Sequence, residues 1–437
     1  MLCPEGVKGL VLRLSAACLV FALAVMTPAC IEAAQKTLRG EIDLHQGYDS
    51  NIDREPEDEQ YESTSSVTTR VIFSRLTQRS NFSLTYAPSF VYNYKAEEER
   101  VDHSASLGYD VQLTRRLVFD LENAYVQSDD PYSYREYTAV DDGPPELSDR
   151  RGRRRYWTNR LSVSTRLEYA EESILGLGYT HYVLKNRDDA FDDFTRHSPF
   201  ASLSYRLNRQ WAVESNYSFI RGDFDEGDDI RTHEGDIYLF YRSSPQTRFF
   251  VHGGYLETGY ETSDRAYNVY TASVGINRAL SPFRSLDVDS GVSWIKRDEG
   301  SDSEAFYLRA AVDNRIERGS WRVYGESGFD ERYYDGDDDE DLSRYWLAGA
   351  GIRYFLTPGI TGSMGFSFRE DRYFERPGSE KDMLFRGDAS LRYAFWRYYE
   401  VAAGYTYTDL DADRDADSYE NHRVFIRLAA GRDLLRW

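Results

Sequence analysis

The stretch Asn81–Tyr94, NFSLTYAPSFVYNY, decides the fold. Phe82, Leu84, Tyr86, Pro88, Phe90, Tyr92 and Tyr94 fall on one parity, and Asn81, Ser83, Thr85, Ser89 and Asn93 on the other. Side chains of a strand alternate between its two faces, so this segment reads as a strand dividing two media. The same alternation returns at Trp211, Val213, Tyr217 and Phe219 against Glu214 and Asn216. It returns again at Phe306, Leu308, Ala310 and Val312 against Arg309 and Asp313.

Two kinds of break separate these strands and alternate strictly: short turns, and longer segments crowded with Asp and Glu. Short turns centre near Gln78, Arg115, Glu172, Arg209, Pro245, Pro282, Gly319, Pro358 and Arg397, at separations of 37, 57, 37, 36, 37, 37, 39 and 39 residues. A propeller blade has a similar period but needs four short strands and a repeated motif. Here each period holds two long strands, the plan of an outer-membrane barrel with short periplasmic turns and long extracellular loops. Nine turns delimit eighteen strands. One more before Gln78 and one after Arg397 predict an all-β, closed antiparallel barrel of about 20 strands, both ends on the short-turn side. Trp437 gives the chain an aromatic terminus, while Gly431 and Asp433 interrupt the last alternation and predict that the final strand stops early. Pro88, inside a strand without a free edge, predicts a bulge.

Composition agrees. Of 437 residues, 15% are aromatic, and 35 of these are tyrosines, suited to half-wet positions. Lys+Arg 53 against Asp+Glu 74 gives a net charge of −21, which argues against a nucleic-acid partner. Residues 1–33 read as a secretory signal, with Lys8 and Arg13 before the apolar run Leu14–Thr27 and small residues near Ala33 and Ala34. That leaves 34–437 as the barrel. Cys3, Cys18 and Cys30 all lie in the signal, so thiol catalysis, cysteine metal sites and disulfides are excluded from the exported part. Lipidation of Cys30 is the alternative, weakened by Thr27 where such sites carry an aliphatic residue. Beyond the signal no run reaches the roughly 18 apolar residues of a spanning helix.

Trp157, Trp211, Trp294, Trp321, Trp396, Tyr393 and Tyr399 fall toward strand ends, as a membrane girdle requires. The acidic segments Asp49–Glu59, Glu97–Glu99, Asp223–Asp229, Asp298–Glu304, Asp335–Asp341 and Asp409–Asp417 read as solvated surface loops. Asp409, Asp411, Asp413 and Glu420 imitate part of a calcium loop, but Arg414 stands where that loop needs glycine. No metal or cofactor is expected. A barrel of this size spans roughly 40 Å at the backbone, too wide for side chains to fill. The longest loop, about Ser128–Arg155, carries Arg150, Arg151, Arg153, Arg154 and Arg155. It either folds into the lumen as a constriction or stands outside it.

With the apolar parity outward, the lumen receives Asp110, Asp120, Glu122, Glu214, Asp236, Asp287 and Asp289, with Arg160, Arg166 and Arg206. Later strands add Arg309, Arg322, Arg353, Arg369, Arg386, Arg392, Arg423 and Arg427, tempered by Asp313, Glu326, Asp330, Asp388 and Glu400. Such charges require a wet lumen and either orient solutes or pair across strands to brace the wall. No nucleophile elbow, phosphate-binding glycine loop or paired-histidine zinc motif occurs, and the seven histidines are scattered over separate strands, so no catalytic role is expected.

Gly47, Tyr48, Asp49, Ser50, Asn51 and Ile52 at the top of the first strand resemble the start of outer-membrane porins of the "beta-barrel porin 2" type. Some of these accompany exopolysaccharide export. The hairpin plan also looks like the barrel of surface-lipoprotein assembly proteins, whose helical repeat domain is missing here. The resemblance implies a porin-like channel. The alternatives are an exopolysaccharide export barrel, with Tyr238, Tyr307, Tyr324 and Tyr345 facing sugar rings, and a structural or surface-interaction barrel with a plugged lumen. Expected partners are outer-membrane lipid, the barrel-assembly machinery during biogenesis, and polysaccharide or small solutes in the lumen.

Overall fold

The structure, a computed structural model, describes residues 34–54, 59–129, 155–187, 193–225, 227–261, 266–297, 302–331, 342–373, 381–413 and 418–437. Residues 1–33, which the sequence reads as a signal, and Arg150, Arg151, Arg153 and Arg154 lie outside the described residues. The described chain forms 20 strands. The first ten are β1 (Gln35–Asp49), β2 (Glu62–Leu76), β3 (Ser80–Asn93), β4 (Glu98–Thr114), β5 (Leu117–Ser128), β6 (Tyr156–Ala170), β7 (Ser173–Asn186), β8 (Phe194–Arg206), β9 (Trp211–Phe224) and β10 (Ile230–Ser244). The rest are β11 (Thr247–Tyr260), β12 (Tyr267–Ser281), β13 (Arg284–Arg297), β14 (Ser303–Ile316), β15 (Gly319–Glu331), β16 (Leu342–Thr357), β17 (Ile360–Tyr373), β18 (Lys381–Phe395), β19 (Tyr399–Ala412) and β20 (Tyr419–Arg436). Each strand pairs antiparallel with its neighbours in sequence, and β1 pairs with β20, so the sheet closes into a transmembrane-type barrel without an edge.

Short turns fall at all nine positions expected. Several are two-residue connections preceded by a one-residue register slip, as at Arg242/Ser244 before Pro245 and Ala279/Ser281 before Pro282. A proline there presets φ for the turn, and the slip adds local twist.

The two parities separate as the alternation requires. Leu84, Tyr86, Leu177, Ile237, Val251, Val274, Val292, Phe306, Met364 and Ile426 are exposed large apolar groups of one parity. On the other face, rings three strands apart converge: His252 on β11 and Tyr307 on β14 stand 6.0 Å apart. Only the concave side of a curved sheet brings such distant strands together, so this parity is the lumen. Trp211, Trp321, Trp396, Tyr393 and Tyr399 lie at the short-turn end, and Trp157 and Trp294 near the loop end.

Two expectations need correction. β20 does not stop at Gly431 but runs to Arg436, because Leu38 pairs with Leu435 and Arg39 with Asp433. Leu434 is thus the extra residue of a bulge that absorbs the irregularity. Pro88 makes no bulge: β2 and β3 keep one register on both sides of it, from Thr68↔Ser89 to Val71↔Tyr86. The ladder toward β2 is interrupted there, while Pro88↔His103 pairing with β4 persists. Proline's missing N–H therefore removes hydrogen bonding on one side only.

Candidate functional site

The lumen wall is the one surface where the sequence places unlike charges inside a closed apolar shell. At the β1–β20 junction these charges pair. Arg427 bonds Asp43, Arg423 Nε lies 3.3 Å from Asp49 Oδ2, and Glu41 accepts from Arg70 at 2.8 Å and faces Arg39 at 2.8 Å. Above them, Asn421 Nδ2 donates to Asn51 O (3.0 Å) and Asn51 Nδ2 to Glu420 O (3.2 Å), while His422 N donates to Ser50 Oγ (2.8 Å). Both asparagines are fully buried. The stretch Gly47–Ile52 is therefore a clasp that closes the barrel.

The remaining expected lumen residues sort by neighbour. Arg392 faces Glu400 (3.3 Å), Arg166 faces Asp120 (3.4 Å), Arg248 faces Glu214 (3.7 Å) and Arg322 faces Asp313 (3.7 Å). Arg369 holds Asp371 through two bonds of 2.7 and 2.8 Å and lies 4.7 Å over the Tyr345 ring. Asp110 stands opposite Asp120, Glu122 is exposed between Gly108 and Ser162, and Arg353 stands between Ser320 and Ser363. Arg386, two residues from Asp388 on the same strand, stands between Ser367 and Thr408. Of the arginines weighed as a constriction only Arg155 is described; its carbonyl accepts from Arg187 N at 2.8 Å.

A second constellation lies across β10–β14. His252 is buried, with Nε2 2.7 Å from Asp236 Oδ1 and Nδ1 3.1 Å from Ser273 Oγ; Asp289 Oδ2 is 3.6 Å from Nδ1. Its ring stacks on Tyr238 at 4.2 Å and 7°. Asp289 is itself buried, and its Oδ1 has no hydrogen-bond partner among the described residues. Arg309 is its cross-strand partner on one side and Glu326's on the other, yet among the described residues it closes to ion-pair distance with neither.

Toward the loop end the lumen parity turns apolar. Tyr156, Leu184 and Phe194 form one buried cluster; Ile230, Tyr267, Val269, Ile295 and Leu342 form another, and Phe224 packs against both. Leu184, Ile230 and Ile295 are 0% exposed. The alternation carried part of this signal, since Tyr156, Phe194, Ile230 and Ile295 share parity with lumen charges lower on the same strands, whereas Leu342, at the first position of β16, falls on the parity of the outward Trp346 and Ile352 and joins the cluster only through packing.

No family model matches the chain, and no curated protein does. Among solved structures it is similar to the ferric enterobactin receptor PfeA of Pseudomonas aeruginosa, at TM-score 0.52 and 8% identity over 91% of this chain and 81% of that chain. It is similar also to the siderophore receptor PirA of Acinetobacter baumannii (0.51, 8%, 91% and 80%) and to OccAB4 of the same organism (0.45, 9%, 92% and 99%). The chain has the outer-membrane barrel fold. At such identities the likeness shows the fold alone. Among the described residues no His, Cys, Asp and Glu cluster suited to a metal ion occurs, and the carboxylates that imitate a calcium loop are spread over strands, Asp409 and Asp411 on β19 and Glu420 on β20.

Proposed function

We propose that the barrel is a non-catalytic, porin-like channel of the outer membrane that passes small polar solutes through a charged, wet lumen. One observation carries this: exposed Arg309 and buried Asp289 face each other across β13–β14 without closing, an arrangement that a dry interior would penalise heavily. Water or a passing solute supplies the missing partners. The apolar clusters at the loop end, drawn from β6 to β16, narrow the entrance and direct flow toward the polar side of the mouth.

Export of polysaccharide receives less support. Tyr238 is stacked by His252, Arg369 covers Tyr345, and an alanine Cβ built at Gly349 would meet the Tyr324 ring, so these faces are occupied by the protein itself. A plugged structural barrel is favoured by the buried apolar clusters alone. Residues 1–33 fit export through a cleaved signal, for which thiol labelling of the mature chain should give nothing.

The deciding measurement is single-channel current in planar bilayers. The wild type should conduct in discrete steps, and replacing Arg309 and Arg386 with glutamine should shift selectivity toward cations. That shift should shrink at 1 M salt, where screening acts over about 3 Å. A correctly folded barrel that carries no current would refute the channel.

A further inference from the structure

Five of the seven histidines form an ordered set on the outer face. Tyr86 and His103, Tyr179 and His197, Tyr217 and His233, and Tyr405 and His422 pair hydroxyl to Nδ1 at 2.9, 2.6, 2.8 and 2.7 Å. In each pair the tyrosine is exposed and stands seven residues before the last residue of an upward strand, β3, β7, β9 or β19. The histidine lies diagonally above on the next strand, opposite Pro88, His181, Phe219 or Tyr407. His181, opposite His197, is the fifth outward histidine, its ring 4.9 Å from that of His197.

A neutral tyrosine–imidazole pair holds two mobile protons. One fills the internal hydrogen bond, and one donor is left over whichever tautomer is present. At His422 the remaining nitrogen reaches Glu420 at 3.3 Å; at His197 the nearest carboxylate, Asp223, is 4.0 Å away. The spare donors at His103, His197 and His233 have no acceptor within hydrogen-bond distance among the described residues. Hydrocarbon offers none, so these groups need a layer of the bilayer that carries oxygen acceptors. On β7–β10 the composition changes at this depth: Leu175 and Leu177 lie below Tyr179, and Lys185 above it. Arg221 stands opposite both His197 and Arg231, which sets His197, Arg221 and Arg231 side by side in a row one outward position above Tyr179 and two above Tyr217, with Phe219 and His233 between. Asp223 bonds Arg221 at 2.7 Å and Glu261 bonds Arg231 at 3.3 Å, which fixes each guanidinium while leaving both arginines exposed.

We propose that the outer face of β7–β10, built from the Tyr179–His197 and Tyr217–His233 pairs with Arg221 and Arg231, docks phosphate-bearing lipid headgroups. Guanidinium groups suit phosphate oxygens bidentately, and the spare imidazole donors add charge-assisted bonds to the same oxygens. The interior of the apolar band, where Val251 and Val274 are fully outward, offers a lipid no such contact. This inference rests on the reading that the barrel sits in a membrane.

The test uses the full barrel folded in maltoside micelles, with the melting midpoint followed by the heat-modifiable gel shift. Dioleoyl phosphatidate should raise the wild-type midpoint by several degrees, and dioleoyl glycerol, which lacks the phosphate, should not. The variant His197→Phe/His233→Phe keeps the rings and should lose at least half of that rise. If it does not fold, Arg231→Gln carries the same comparison. A full rise in the variant, or an equal rise in wild type with free inorganic phosphate, would overturn the docking site. A barrel that conducts in planar bilayers but gives no phosphatidate response defeats this inference alone; the response without current defeats the channel alone.

Discussion

Two opposite sectors of the lumen wall, around β1/β20 and around β11, are built from the same alternation and end in different chemistry. At β1/β20 Arg427 and Arg423 meet Asp43 and Asp49 across the junction, Glu41 is held by Arg39 and by Arg70 on β2, and the loop end is closed by buried asparagines. Around β11 the charges are juxtaposed but not closed, rings stack beside them, and the loop end is apolar. The difference follows from connectivity. β10 and β11, and likewise β12 and β13, are joined by two-residue turns that fix their register, whereas β1 and β20 meet with no turn between them. Side chains must set that register, so the lumen charges of the junction are committed to structure, and those around β11 are the ones the proposed channel would present to a solute.

The outward face should not share this difference. Leu44→Arg on β1 and Val251→Arg on β11 both place a guanidinium in the apolar band and should each cost about 2–4 kcal/mol, read as lost folded fraction after refolding. Unequal losses would mean that the sectors differ in membrane depth and not only in the lumen. Next in size, Arg427→Gln strands Asp43 at the junction and should cost about 1–3 kcal/mol, while Asp289→Asn should be neutral within about 0.5 kcal/mol, or stabilising. Melting midpoints decide between them, and the reverse order would break the comparison. Asn421→Ala, which removes the donor to Asn51 O, should cost about 1–2 kcal/mol. The smallest effect on stability is the largest on current: Arg309→Gln should move the reversal potential further than Arg427→Gln, whose field Asp43 already cancels.

Much of this was legible in the sequence. The turn residues near Gln78, Pro245, Pro282 and Pro358 delimit hairpins locally, and period-two alternation assigns the faces without reference to distant strands. What was not legible needs strand pairing across the circuit. Asp43 and Arg427 are 384 residues apart, so the basic lean of the later strands could not be seen to meet the acidic groups of β1. The Tyr–His pairs lie only 16 to 18 residues apart. Their regularity emerges once the diagonal register is known, because the histidines occupy positions that alternation assigns to lipid. Leu184, Phe194, Ile230 and Ile295 depart from the charged pattern only at the loop end, because burial there depends on packing between strands, which parity does not report.

The glycines at 349 and 404 have a consequence for the width of the barrel interior. An alanine Cβ at 349 would lie 2.4 Å from the Tyr324 hydroxyl oxygen, and one at 404 would lie 2.2 Å from the nearest Phe425 ring carbon. Either ring would have to give way, so a single methyl group added on one strand displaces a whole ring of the next. The cross-section of the barrel interior is thus encoded one strand away from the groups that occupy it, and if the proposed channel conducts, either substitution should lower its current without altering any charge on the wall.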